Sequence, residues 1–446
     1  MRFLLVMAGL GGFLYGIDFG VIAASMPYIR ALGTYTDAQL SAIVGAVLFG
    51  GLISSLTAGV LCDRFGRRRV IIGAAGLFLL AIPVVCLSSG VFPVMMAGRV
   101  MQGMSAGYMS VAMPMYLAET LPPDRRGRGT GVFQFCLGLG LVSAALTGLL
   151  VAHLYGAADS AVAAAIKERA WKVNFWWTLV PVAALFLGSF RLKESPVWEK
   201  RVGGLRLKVE GKGEGEGGGE GGGVGGTLFQ RKYVLPFLLA VLVLTFNKTT
   251  GMSSITSYSV VIFQKAGFTG SLGNVGDLAI KLTNLVVTLF AAALIDRKGR
   301  TFLLKVGTAG MTVGLAAIGA VLFAVEKCGV AAGTFTGVCA LVAFFVMQVF
   351  YALGPGICVW LVLSELMPQR IRANGMAIAL FMNQLTAWGL ASTFFPWVNA
   401  WGWYSVFFFF AANGILYFIT ACFIPETKGK TLDEIEKLWS PKSSNS

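Results

Sequence analysis

The sequence has a single histidine, His153, and contains no HExxH helix, no CxxC pair and no glycine loop of the kind that cradles phosphate. Without these the usual means of holding zinc or a nucleotide are missing, so an enzyme is not supported and neither a metal nor a cofactor is expected. Charge is scarce as well. Asp, Glu, Lys and Arg make up 13% of the 446 residues, against 56% hydrophobic residues and a mean hydropathy of +0.75. So little polar surface cannot cover a soluble globule of this length. Acidic residues are the rarer sign, 21 against 36 Lys and Arg, for a net charge of +15. No basic soluble segment houses that excess, so no nucleic-acid partner is expected. The seven cysteines lie in or beside apolar runs, and their odd number argues against a full disulfide framework; core-packing thiols are expected.

What the chain has in abundance is long apolar runs. About 20 apolar residues are needed to cross a bilayer, and twelve such runs can be read: 3–24, 39–62, 70–90, 91–118, 129–152, 171–190, 234–264, 272–295, 302–324, 333–363, 372–398 and 402–424. The expected fold is an all-α membrane protein, twelve transmembrane helices in two pseudo-symmetric six-helix bundles. The bundles are 1–190 and 234–424. Between them lies a loop, 191–233, that dissolves into glycine from Gly211 to Gly226, where no helix can hold and the chain is a flexible tether. A cytoplasmic tail, 425–446, is expected to follow. The first run begins without a basic region long enough for a cleavable signal, so it is expected to be retained.

Three echoes support the duplication. Asp63-Arg64-Phe65-Gly66-Arg67 returns as Asp296-Arg297-Lys298-Gly299-Arg300. Glu119-Thr120-Leu121-Pro122 with Arg126 and Gly129 returns as Glu365-Leu366-Met367-Pro368 with Arg372 and Gly375. Glu194-Ser195 returns as Glu426-Thr427. Their shared order suggests two parallel units that rock about a midplane site. Lys and Arg cluster in the loops at 64–69, 125–128, 297–305 and 370–372, whereas 86–93, 325–333 and 399–402 are nearly uncharged. By the positive-inside rule both termini face the cytoplasm, in a plasma or bacterial inner membrane. Lipid is then the main partner, and the chain is expected to work as a monomer.

An ionisable residue inside a membrane helix is costly and is by default a functional hypothesis. Asp18 in the first run and Arg99 in the fourth are the sharpest such pair. Paired with a guanidinium the aspartate stays ionised; freed from it, it takes up a proton. The same pair could also be a static bridge that only staples two helices. Amides interrupt the runs at Gln134, Asn247, Asn284, Asn383 and Gln384. An amide donates and accepts together, as each hydroxyl of a sugar or polyol requires, and Tyr15, Tyr258 and Trp360 offer flat faces to a sugar ring. Singly, each amide also serves as an interhelical hydrogen bond. At the basic loops Asp63, Arg64, Arg67, Glu119, Arg126, Asp296, Arg297, Arg300, Glu365, Arg372, Glu194 and Glu426 can form ion pairs that close an inner gate.

At these residues the chain resembles the sugar porter branch of the major facilitator superfamily. The paired Asp-Arg-x-Gly-Arg loops, Gly98-Arg99-Val100-Met101-Gln102-Gly103, Gly354-Pro355-Gly356 through Trp360, and Pro425-Glu426-Thr427-Lys428-Gly429-Lys430-Thr431 stand in the family's order. The resemblance implies alternating access and sugar contacts at Gln134, Asn284, Trp360 and Asn383. It also implies proton coupling through Asp18 and Arg99, the pair that proton-coupled members carry. Departures bear on the substrate. Where many members read Gln-Gln-x-x-Gly-Ile-Asn, this chain has Asn247-Lys248-Thr249-Thr250-Gly251-Met252-Ser253; Gln384 stands where tryptophan is frequent, and Lys193 replaces a proline. Lys248 has three readings: attraction of an anionic substrate such as a sugar acid, donation to neutral sugar hydroxyls, or pairing with a neighbouring acid. Asp277 and Lys281, one turn apart, are expected as a self-satisfied pair near the outer surface. The expected function is sugar or polyol transport with the proton as coupling ion; a passive facilitator and a membrane sugar sensor are the alternatives.

Overall fold

A computed structural model describes residues 2–122, 126–200, 202, 231–366 and 372–426, and among them there is no strand. The first half contains α1 (Arg2–Ala31), α2 (Asp37–Phe65), α3 (Arg67–Cys86), α4 (Phe92–Thr120), α5 (Arg126–Tyr155), α6 (Ala164–Trp176) and α7 (Leu179–Ser189). The second contains α8 (Arg231–Thr249), α9 (Met252–Ala266), α10 (Leu272–Lys298), α11 (Arg300–Lys327), α12 (Thr334–Leu353), α13 (Pro355–Leu366), α14 (Arg372–Ser392), α15 (Phe394–Trp401) and α16 (Trp403–Cys422). Helices follow from the solvent: hydrocarbon offers no partner to backbone N–H and C=O groups, so a spanning segment must satisfy them within itself.

Among the described residues, ten segments are long and apolar enough to cross a membrane. The other two expected crossings are the helices α4 and α14. Helix α4 carries Arg99, Gln102 and Glu119, but it is walled by α1, α2 and α3, so its polar face does not meet lipid. Helix α14 carries Asn383 and Gln384 and lies between α2 and α8. The twelve expected crossings are therefore present as helices, several of them broken into two. The expected run 171–190 is one such case, made of α6 and α7.

The packing repeats between the halves. Helix α1 lies on α5 as α8 lies on α14; α2 on α4 as α10 on α12; α3 on α4 as α11 on α12. Across the seam α2 meets α14 and α5 meets α10, which are exchanged by the same correspondence. Gly12, Gly16 and Gly20 form a stripe at four-residue spacing along α1. A Cβ at Gly12 or Gly16 would fall on the main-chain oxygen of Phe133 or Leu137, and one at Gly20 would strike Ala144. Helices α1 and α5 thus touch backbone to backbone, the close approach that small residues permit in membranes.

The echoed loops build one device twice. Gly66 (φ 91°, ψ 157°) and Gly299 (φ 93°, ψ 160°) turn the chain from α2 into α3 and from α10 into α11. A side chain at either glycine would collide with the carboxylate of Glu194 or Glu426. Those carboxylates accept the free N–H groups at the start of the next helix. Glu194 Oε1 takes Arg68 N at 3.0 Å; Glu426 takes Arg300 N at 3.0 Å and Thr301 N at 3.1 Å. An anion at a helix N-terminus is stabilised by about 0.3–1 kcal/mol, more when partly buried.

Two expectations are corrected. Asp277 and Lys281 do pair, at 2.7 Å, but their side chains are only 2% and 5% exposed. They face α9, where the Ser259 hydroxyl donates to Asp277 at 2.5 Å, and not the outer surface. Of the cysteines, Cys62, Cys86 and Cys358 are buried, whereas Cys328 and Cys422, at helix ends, are exposed. His153 is exposed in the last turn of α5.

The stripe generates a test. Gly16→Val forces α1 off α5, an overpacking cost of about 1–3 kcal/mol, and is expected to lower the melting temperature of the purified protein. Gly73→Ala, where nothing lies within 4 Å of the added carbon, is the matched control and should melt at or slightly above the wild-type temperature. Equal melting of the two variants would contradict the packing.

Candidate functional site

Asp18 and Arg99 meet in the interior of the first half. Arg99 Nη1 lies 3.6 Å from Asp18 Oδ1, with side-chain exposures of 1% and 0%. The guanidinium is held elsewhere too: Nη1 donates to Gln102 Oε1 at 2.7 Å, and the group sits 5.7 Å from the centroid of the Phe175 ring. Neither carboxylate oxygen of Asp18 accepts a hydrogen bond from the described residues. The pair is thus coulombic on one side and hydrogen-bonded on the other. At an effective dielectric of about 20 its attraction is on the order of 4 kcal/mol, against a desolvation cost of several kcal/mol for each ion. The ionised pair is held without surplus. Gln102 and Phe175 were not singled out from the sequence. Gln102 was legible, one turn from Arg99 in the same helix, whereas Phe175 is brought in by α6.

The second polar group gathers where the seventh span breaks. Helix α8 ends at Thr249 and α9 begins at Met252, with Gly251 between them in the left-handed region (φ 76°), where a side chain would also strike Phe410. Asn247 is buried and its Nδ2 points to Pro355 O at 3.4 Å. Asn383, also buried, donates to Leu244 O at 2.9 Å. These two amides brace the end of α8 against α13 and α14, the interhelical role open to them from the start. Across the break Lys248 Nζ donates to Ser253 Oγ at 3.3 Å. No acid lies within ion-pair distance of Lys248 among the described residues, which removes pairing with a neighbouring acid from its readings. One hydroxyl and the negative end of α8 offset part of the cost of the half-buried ammonium, the helix end contributing about 1 kcal/mol. That falls short of the several kcal/mol an unpaired ion costs. Lys248 and Ser253 are only half-buried.

The remaining expected contacts spread around this break. Asn284 on α10 accepts from Gln348 Nε2 on α12 at 2.9 Å. Both line a cavity of about 30 Å³ shared with Ser259, Asp277, Lys281 and, from the other half, Leu141. That is room for about one or two waters. Gln134 is exposed on α5, one turn before Gly138, whose position faces Leu285 beside Asn284. Tyr15 on α1 is half-buried, with its ring 5.3 Å from that of Phe19, and has Asp18 and Tyr351 as ionisable neighbours. Gln384 turns away to the seam, against Gly51 of α2. Tyr258, expected to offer a face to a sugar ring, is buried and stacked on Phe394 at 4.3 Å; it is core. The side chain of Trp360 lies outside the described residues.

At the end carrying the basic loops, Arg67 bridges Glu119 at 2.8 Å and Asp63 at 3.2 Å. Ser195 Oγ donates to Glu119 at 2.5 Å. These contacts, with the Glu194 and Glu426 caps, join elements of the same half. Arg64 is exposed with its guanidinium 5.6 Å from the Phe65 ring centroid, while Asp63 pairs one turn on with Arg67. Arg297 is exposed. The side chains of Arg126, Asp296, Glu365 and Arg372 lie outside the described residues. At the opposite end the halves are tied to each other. Phe395 N donates to Ser41 Oγ at 2.9 Å, Asn399 to Asp37 at 2.8 Å, and Gly270 N to Asp159 at 2.8 Å. Arg30 pairs with Asp37 and lies 4.6 Å over Phe395.

Comparison with known proteins gives a consistent result. The sequence model of a family described as "Sugar (and other) transporter" matches residues 4–439. The chain is 29% identical over 450 residues to the arabinose-proton symporter of Bacillus subtilis (strain 168), covering 97% of this chain and 93% of that protein. It is 27% identical to the galactose-proton symporter of Escherichia coli (strain K12), covering 98% and 93%. Among solved structures, the D-xylose-proton symporter superposes with a TM-score of 0.79 at 22% identity, over 96% of this chain and 99% of that one. The xylose transporter XylE from E. coli, in an inward-open conformation, gives 0.77 at 23% identity, over 98% and 99%. These superpositions identify the major facilitator fold.

The buried pair beside the small cavity yields a prediction. Asp277→Asn leaves Lys281 uncompensated and is expected to destabilise the protein by about 3–5 kcal/mol, while Asp277→Asn with Lys281→Met recovers most of the loss. Thermal unfolding of the two variants measures this, and a single variant as stable as wild type would contradict it.

Proposed function

The chain belongs to the sugar transporter family, and from that premise we propose that it carries a sugar or polyol across a cell membrane by alternating access, with proton entry. The observation that supports coupling best is the Asp18–Arg99 pair: sealed from solvent, 3.6 Å apart, with neither carboxylate oxygen accepting a hydrogen bond from the described residues. Arg99 keeps Gln102 when it leaves Asp18, so the guanidinium has somewhere to go and the carboxylate does not. A carboxylate stranded in apolar surroundings neutralises by taking a proton. Separation and approach of α1 and α4 then load and discharge H⁺.

Substrate contacts are assigned to Gln134, Lys248, Ser253, Asn284, Trp360 and Tyr15; Asn247, Asn383 and Gln384, expected among them, are held instead at Pro355 O, at Leu244 O and at the seam against Gly51. The break between α8 and α9 supplies the irregular backbone that membrane proteins tolerate only where it lines a cavity or is buried in protein. Residues 1–190 and 234–424 are taken as the two rocking units, joined by the linker 191–233. The basic loops and both termini are taken as cytoplasmic. On that orientation the far-end contacts of Ser41, Asp37 and Asp159 close the outside, and the cytoplasmic charged groups, whose pairs here lie within each half, are taken to pair across the halves in the opposite state and form the other gate. A substrate moves this balance only through unequal affinity for the two states.

Proteoliposomes test the coupling. With an imposed inward proton gradient, wild type should accumulate a transported aldose uphill and alkalinise the outer medium on sugar addition. Asp18→Asn should retain exchange of labelled for unlabelled sugar and lose accumulation. Uphill uptake by Asp18→Asn would refute the role given to Asp18, and a wild type that only equilibrates sugar would be a passive facilitator.

A further inference from the structure

We propose that Lys248 is the counter-charge for a carboxylate on the substrate, so that the transported class is sugar acids, uronates foremost. The proposal rests on the transport reading above and narrows its substrate. The two acids buried among the described residues are already committed, Asp18 to Arg99 and Asp277 to Lys281. Lys281, which is buried, is neutralised one turn away on its own helix. Lys248 differs from it in each respect. Its ammonium has a neutral hydroxyl, Ser253 Oγ, at the long distance of 3.3 Å, and the residue is only half-buried.

Its setting selects what that solute is. A bare inorganic anion needs no more than the charge. Lys248 instead stands on the helix break with Thr249 and Ser253, hydroxyl-bearing residues half-buried like itself, and the exposed amide of Gln134 belongs to the opposing half. Side-chain hydroxyls and amides donate and accept, the pattern that matches a polyhydroxylated ring, while the ammonium supplies the one interaction a neutral sugar cannot repay. An ammonium near the middle of a membrane protein is tolerated when it pairs or faces water; here the pairing partner arrives with the substrate.

Charge balance gives the proposal a signature beyond affinity. A neutral sugar moving with one proton transfers one positive charge. A uronate moving with one proton transfers none. Uronate uptake driven by a pH gradient is therefore expected to be indifferent to a potassium diffusion potential that accelerates or retards neutral-sugar uptake.

The experiment uses the full chain in proteoliposomes and two matched probe pairs, D-glucuronate with D-glucose and D-galacturonate with D-galactose, each differing at C6 alone. Each uronate is expected to compete at least tenfold better than its neutral counterpart, with uptake insensitive to the potential. Lys248→Met should reduce that preference at least tenfold and Lys248→Arg restore it. Transport of the neutral sugars unaffected by a hundredfold excess of uronate overturns the proposal and leaves sugar transport standing. A uronate preference that is unchanged in Lys248→Met overturns the role of Lys248. Should Lys248→Met fail to fold, the wild-type competition and voltage results decide. Binding of neither class, with pentoses and polyols also inert, overturns both this inference and the reading beneath it.

Discussion

A charge placed in hydrocarbon has no water to turn to, and the whole arrangement of polar groups in this protein answers to that constraint. Asp18 finds Arg99, Asp277 finds Lys281 and Ser259, and the carboxylates of Glu194 and Glu426 find helix N-termini. The backbone obeys the same rule, so the spanning segments are helical, and the helices approach most closely where glycines remove the side chains between them. Lys248, with one hydroxyl for company, is the exception that the proposed chemistry turns on.

How much could be read beforehand depended on whether the interaction was local. The Asp-Arg-x-Gly-Arg turns were legible because a glycine, an acid and arginines within five residues specify a sharp charged turn by themselves. That Glu194 and Glu426 cap the following helices was not, since each bond spans 126 residues and only packing brings the ends together. Asp18 and Arg99 were found through the cost of burying charge, and Gln102 was in view one turn along. The amides at Asn247, Asn284 and Asn383 were visible as interruptions in apolar runs. Which neighbour each would face was not, because an apolar helix lacks the polar side that would fix its rotation. Depth was hidden for the same reason: the spacing of Asp277 and Lys281 specified the pair without specifying that α9 covers it. Tyr258 was misread because an aromatic ring suits a core as well as a sugar.

The repeated loops also explain why the two halves keep the same shape although their sequences have drifted. The left-handed turn at Gly66 and Gly299, with a carboxylate seated where a Cβ would be, fixes the angle between consecutive helices at the basic end of each half. Gly402 turns the chain in the same way at the far end (φ 87°, ψ 161°), where Glu326 accepts the N–H of Trp403. A turn of this kind sets direction through backbone and one acid, leaving the remaining loop positions to vary.

The glycine stripe on α1 has a mechanical corollary. Two helices in main-chain contact cannot slide or rotate past each other without collision, so α1 and α5 travel as one stiff strut. Asp18 rides on one member and Gln134 on the other. On the proposed reading, the proton-binding group and the first half's sugar-facing amide therefore keep a fixed separation, and linkage between the two proposed cargoes falls to what shifts around the strut: α4, which bears Arg99, and the broken helix across the seam.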